Sequence, residues 1–184
     1  MASMTLTFKS ADWKHLRIPF SYYLLPVFLF ALAFIPDPDP TRFLLVFISL
    51  HLFLYPSSNG YNSYFDKDEG SIGGLRTPPK VTKGLYTLSL LFFGIALLLG
   101  LAVSLPFTLL MLLYGLVSMA YSHPSIRLKK YPFGSWLVAG IFQGYLTFIM
   151  SLSGLGAGGL ELLIRPEYAL PGLLTPLCSW APIR

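Results

Sequence analysis

His51 to Lys83 read HLFLYPSSNGYNSYFDKDEGSIGGLRTPPKVTK, the downstream end of an apolar run, LLVFISLHLFLY, that starts just after Arg42. The run is free of charge and, continued as a helix into the site stretch, reaches the length of a membrane span; it turns into amides, carboxylates and basic residues, and finally into a Gly/Pro loop. If the helix continues through the polar part, His51, Tyr55, Asn59, Asn62 and Asp66 recur at helical spacing on one face, and Glu69 extends that face. Carboxylates and carboxamides are hard oxygen ligands suited to Mg²⁺, which takes one or two protein carboxylates together with waters and the oxygens of a phosphorylated substrate. The basic residues Lys67, Arg76, Lys80 and Lys83 follow and suit a diphosphate. The competing reading is a solvated helix end whose acids and bases pair at the membrane surface; the cost of charges beside a bilayer favours a site.

Composition supports the membrane setting. Of 184 residues, 54% are hydrophobic and only 11% charged, with mean hydropathy +0.65, far from a soluble domain. The net charge of +5 does not point to nucleic acid, because the basic residues sit in separate clusters between apolar runs rather than along one face. A single cysteine, Cys178, rules out an internal disulfide framework.

Working outward, residues 1–17 form a polar leader with Lys9, Trp13, Lys14 and Arg17, followed by an uncharged run from Ile18 to Ile35 that reads as the first span. A basic leader, an apolar core and Ala31-Leu32-Ala33 also fit a signal peptide, but the leader is long and further spans follow. PDPDP, Pro36 to Pro40, is a tight turn. The second span covers 42–65, with Pro56 as a kink and His51 as an intramembrane titratable group that either packs through a hydrogen bond or serves function. Spans three to five are expected near 85–105, 107–121 and 136–152. Gly84, Gly94 and Gly100 are available for close helix contact, Pro106 forces a tight hairpin, and Gln143 is an in-membrane amide. Lysine and arginine alternate between loops. Three precede span one, four separate spans two and three, three separate spans four and five, and the intervening loops carry only Arg42. By the positive-inside rule the N-terminus and both basic loops are cytoplasmic in a multi-pass integral membrane protein, the inner membrane if the source is prokaryotic. Residues 1–153 form the membrane domain; 154–184, rich in Gly and Pro, reads as a weakly structured or re-entrant tail of a truncated or frame-altered chain.

NSYFD, Asn62 to Asp66, resembles the first aspartate-rich motif of the UbiA superfamily of membrane prenyltransferases, Asn-Asp-x-x-Asp-x-x-x-Asp at the cytoplasmic end of the second helix. Asn62 and Asp66 stand at the first and fifth places, Ser63 and Gly70 replace the other two aspartates, and Asp68 and Glu69 are displaced substitutes. Arg76 and Lys80 resemble the basic residues after that motif. Tyr121, Arg127 and Lys129, in YSHPSIRLKKYP, look like the Tyr-and-basic loop after the fourth helix. The resemblance covers roughly residues 12 to 150 and implies an all-α transmembrane bundle, about nine spans in the family and about five here, around a central cavity. It implies Mg²⁺ held by Asn62, Asp66 and Asp68, with Glu69 as the weaker choice. It also implies Asn62 and Asp66 in catalysis, and a prenyl diphosphate held by Arg76, Lys80, Tyr121, Arg127 and Lys129. An aromatic or other lipophilic acceptor would take the isoprenyl group, with Tyr55, Tyr61 and Phe65 as aromatic faces for a carbocation. The family's second aspartate motif has no counterpart, since no aspartate follows Asp68, and the settings of Glu161 and Glu167 do not resemble it. Half of the metal site is therefore missing, and a partner chain or self-association would complete the bundle. The alternatives are an inactive membrane scaffold binding lipid or partner helices, and an ion transporter or channel subunit using Asn59, Asn62 and Asp66.

Overall fold

The structure, a computed structural model, describes residues 8–67, 69–131, 133, 135 and 140–179. These residues are helical apart from turns and one isolated bridge between Ile72 and Leu75. The helices are α1 (Ser10–Leu16), α2 (Leu25–Leu32), α3 (Pro40–Phe47), α4 (Tyr55–Asp66), α5 (Lys83–Val103), α6 (Leu105–Ser122), α7 (Thr147–Leu155) and α8 (Pro166–Ser179). By length and hydropathy, four stretches can cross a membrane: Ser10–Leu32, Pro40–Asp66, Lys83–Val103 and Leu105–Ser122; Gly140–Leu155 is a shorter apolar helix. The expected start of the fifth span, Trp136, lies outside the described residues. The chain is thus a polytopic helical bundle, as composition and periodicity predict.

The second stretch begins earlier than the apolar pattern suggests, because Asp39 ends the Pro/Asp turn as a helix cap: its carboxylate accepts from the Arg42 backbone N–H at 2.6 Å, and Pro40 fills the first turn. Pro56 does not break this helix. A π-helical segment, Ile48–Leu54, joins α3 to α4 immediately before it, and the wider turn accommodates a residue that has no N–H to donate. Hydroxyls inside the spans return hydrogen bonds to carbonyls of the preceding turn, as with Ser49 to Leu45, Ser89 to Leu85 and Ser151 to Thr147. The α5–α6 hairpin is as tight as Pro106 requires: Ser104 ends one helix and caps the other, its Oγ accepting from the Phe107 N–H at 3.4 Å. Gly60 lets α4 approach α5, since a Cβ there would overlap Ser89 and press on Leu16, whereas Gly94 faces open space and makes no such contact. Among the described residues, the main apolar cluster runs from Phe28 and Leu50 through Phe107 and Met111 to Phe148 and Met150, and a smaller one joins Leu16, Leu88 and Phe92. Arg42 closes the far end, donating to the carbonyls of Gly154 at 2.5 Å and Ser153 at 3.3 Å, where α7 runs out.

Within the polar leader α1 starts at Ser10, and the first stretch bends at Arg17, which adopts the left-handed conformation at φ 46° before a 3₁₀ segment, Ile18–Leu24. One expectation changes. The weakly structured tail is instead α8, seated on the Gly140–Leu146 segment. Gly172 admits Tyr145 and Phe148, and the Tyr145 hydroxyl donates to the Leu163 carbonyl at 2.6 Å. Its prolines are tolerated for local reasons. Pro166 sits in the first turn, where no partner is needed. The carbonyl of Gly172, which Pro176 cannot serve, accepts instead from Thr175 Oγ1 at 2.6 Å.

Candidate functional site

The polar end of α4 meets the end of α6 and the loop after it. Asn62 Oδ1 accepts from Ser122 Oγ at 2.8 Å, tying the second long helix to the last residue of α6. One turn on, the Asp66 carboxylate pairs with the Lys129 ammonium; their side chains are 23% and 20% exposed. Lys129 reaches back because Arg127 takes the left-handed conformation at φ 45° and launches a 3₁₀ turn, Leu128–Lys130. Lys67, also left-handed, ends α4 directly after Asp66. Partial burial pushes the Lys129 ammonium below the ordinary lysine range, so desolvation outweighs other influences on that group.

Asn62, one turn before Asp66, lines a cavity of about 90 Å³ together with Tyr114, Val117, Ser118, Tyr121, Phe142 and Gln143. The Tyr121 hydroxyl hydrogen-bonds Ser135 Oγ at 2.7 Å, and Ser58 donates to Ser118 at 2.5 Å, joining α4 and α6 on the same side. Four residues expected in the site, Asn62, Asp66, Tyr121 and Lys129, are therefore brought together from two distant parts of the chain. Ser122, Ser118 and Tyr114 join them without a sequence signal that separates them from ordinary helix residues. Gln143, legible as an in-membrane amide, lines the cavity too.

The remaining expected residues lie elsewhere. Lys80 and Glu69 line an open groove with Lys67 and Pro79; Arg76 and Arg127 are exposed, and none of these four lines the cavity. Asp68 lies outside the described residues. His51 is a packing residue: its Nδ1 hydrogen-bonds the Ser21 carbonyl at 3.2 Å, and its ring stacks on Phe47 with centroids 4.7 Å apart. Asn59 faces α1 rather than the cavity, accepting from Arg17 and donating to the Leu16 carbonyl, each at 3.4 Å. Tyr61 and Phe65 pack around Tyr86, and Tyr55 reaches the cavity only through its edge contact with Tyr114.

Sequence reasoning did not foresee a second polar knot, built on α1 and the loop before α5. Asp12, wholly buried, accepts from Thr82 Oγ1 at 2.6 Å and from the Lys9 N–H at 2.8 Å. His15 Nε2 donates to the Pro79 carbonyl at 2.7 Å, and Arg17 donates to Gly73 at 3.2 Å. α1 thus straps down the Gly/Pro loop that follows the motif.

Asn62 and Asp66 present a carboxamide and a carboxylate oxygen on one helix face, the donor chemistry of a Mg²⁺ ion that draws its other ligands from water and phosphate. Among the described residues, no three His, Cys, Asp or Glu side chains come together as an all-protein cage. The residues present therefore fit the protein's share of a metal–diphosphate site and not a self-sufficient metal centre. No curated protein and no solved structure matches the chain. The family model described as the UbiA prenyltransferase family matches residues 23–183, a range that runs through α8 as well as the motif helix. With that match over most of its length, and with the motif on a membrane-spanning helix as the resemblance requires, the chain belongs to the UbiA prenyltransferase family.

Proposed function

We propose that this chain binds an isoprenyl diphosphate with Mg²⁺ beside Asn62 and Asp66 and transfers the isoprenyl group to an aromatic or other lipophilic acceptor. The observation that carries this reading is the Asp66–Lys129 pair, which unites the polar end of α4 with the basic loop after α6, one turn from Asn62, a residue that lines a cavity. Bound Mg²⁺ would neutralise charge building on the departing diphosphate. The chain's own residues supply the rest. Asn62 and Asp66 offer the oxygens, and Ser122 fixes the Asn62 side chain by its hydrogen bond. Lys129 and the Tyr121 hydroxyl offer donors to diphosphate oxygens, adding preorganised stabilisation as the allylic C–O bond breaks and its electron pair leaves with the diphosphate. The acceptor then forms the new bond to the allylic carbon and gives up a proton. Lys80, Arg76 and Arg127, exposed on the two flanking loops, serve as steering charges for an anionic substrate. In this reading the N-terminus and both basic loops face the cytoplasm.

The test is binding of farnesyl diphosphate, as probe, to the purified chain in detergent with and without Mg²⁺. Binding is expected to require the metal, and Asp66→Ala is expected to weaken it by about 100-fold, or ~2.7 kcal/mol. Metal-insensitive binding, or binding that Asp66→Ala leaves intact, overturns the assignment.

A further inference from the structure

The two oxygen ligands of the site are not equivalent in what already holds them. Asn62 Oδ1 accepts one hydrogen bond, from Ser122, and a carboxamide oxygen has a second lone pair to offer. Asp66 is engaged by a full positive charge, in a setting only about one-fifth exposed. A divalent cation arriving alone at Asp66 must either displace Lys129 or sit beside it. Displacement leaves a largely covered ammonium without its carboxylate, and coexistence places like charges within a few ångströms where water screens them poorly. A diphosphate removes both difficulties, because its oxygens accept from the ammonium and ligate the metal at once. Lysine suits this exchange: it is a compact charge on a flexible four-carbon stem, and it can move from a carboxylate to a neighbouring anion without a backbone change.

We infer that Lys129 competes with the divalent cation for Asp66, so that metal and diphosphate bind this chain only weakly apart and strongly together. The inference rests on the metal–diphosphate reading above and assigns Lys129 a role beyond holding the diphosphate: it sets the order and the coupling of the two ligands. Coupling of this kind is reciprocal, the metal raising diphosphate affinity by the factor by which diphosphate raises metal affinity.

The experiment measures protein-bound Mn²⁺ by electron paramagnetic resonance on the full chain in detergent, with and without inorganic pyrophosphate, correcting for the metal–pyrophosphate complex in solution. Wild-type protein is expected to hold Mn²⁺ at least about tenfold more tightly with pyrophosphate than without. Lys129→Met, which keeps the stem and removes the charge, is expected to raise the affinity for Mn²⁺ alone by about tenfold and to shrink the pyrophosphate enhancement. Lys129→Arg, which keeps the charge, should stay close to wild type and shows that the loop still folds. If wild-type protein binds Mn²⁺ with pyrophosphate but Lys129→Met leaves the affinity for Mn²⁺ alone unchanged or lower, the competition is overturned and the metal–diphosphate reading stands. If wild-type protein fails to retain Mn²⁺ even with pyrophosphate, both are overturned.

Discussion

Asp12, on α1, and Asp66, at the end of α4, each meet a residue far away in sequence, yet they are built for different purposes. Asp12 has no exposure, and both its oxygens are taken by uncharged donors: the Thr82 hydroxyl and its own helix's first turn. Asp66 keeps 23% of its side chain open and is held by one lysine, itself 20% exposed, one turn from the cavity residue Asn62. A carboxylate saturated by fixed donors in a dry setting is a fastener, since breaking any of its bonds leaves a buried group unpaired. A carboxylate held by one partly exposed lysine can exchange that partner for a ligand. A charged residue in a membrane protein is therefore not diagnostic of function by itself; what its oxygens already touch is.

The contrast can be broken experimentally. The largest effect on stability is expected from Asp12→Ala, which removes both acceptors and strands the Thr82 hydroxyl and the Lys9 N–H, costing about 2–4 kcal/mol. It should appear as a lower thermal unfolding midpoint in detergent, with farnesyl diphosphate affinity at low temperature unchanged. That is the reverse of the pattern set out for Asp66→Ala, and a binding loss equal to that of Asp66→Ala would erase the distinction. A smaller effect, about 1–3 kcal/mol, is expected from Gly60→Ala, whose methyl group is forced against Ser89 and Leu16 and so wedges the strap side of α4 while leaving the cavity side alone. Stability and metal-dependent binding measured together decide whether the two sides of α4 respond independently. The smallest effect belongs to Glu161, an exposed carboxylate whose pKa is held below the ordinary glutamate range by the Gly159 N–H at 2.7 Å. A depressed folded pKa gives a contribution that is complete above the unfolded value and disappears as pH falls through the folded one. Glu161→Gln should therefore lower the unfolding midpoint slightly at neutral pH, converge with wild type in acid, and so flatten the decline between them.

Much of the architecture is legible in the sequence because the bilayer restricts it. Uncharged runs of span length must be helical, since lipid offers no partner for free backbone groups, and Pro106 leaves room only for a hairpin. The prolines at 56, 171 and 176 are harder to read. Whether a proline ends a helix depends on a π-turn upstream or a hydroxyl able to serve the orphaned carbonyl, and Thr175 supplies this for Gly172. The Gly/Pro-rich composition after Gly154 accordingly suggests a weakly structured or re-entrant tail, and within it residues 166–179 form α8. The candidate site divides in the same way. Asn62, Asp66, Tyr121 and Lys129 stand out by their chemistry in an apolar context. Ser118 and Ser122 look like any helix serine, and Asp12 and His15 look like a solvated leader.

The sequence by itself determined the solvent, the helical class and the location of the polar motif, since these follow from run length, charge and spacing within single segments. It also placed the motif in a family pattern that the match over residues 23–183 supports. Only the tertiary structure decided which polar residues meet. Asn59, Asn62 and Asp66 share a helix face, yet Asn59 turns to Arg17 and Leu16 while Asn62 and Asp66 turn to Ser122 and Lys129. The reason is physical: periodicity fixes the direction in which a side chain leaves its own helix, whereas its partner is fixed by how neighbouring helices pack and where the loops bring their ends.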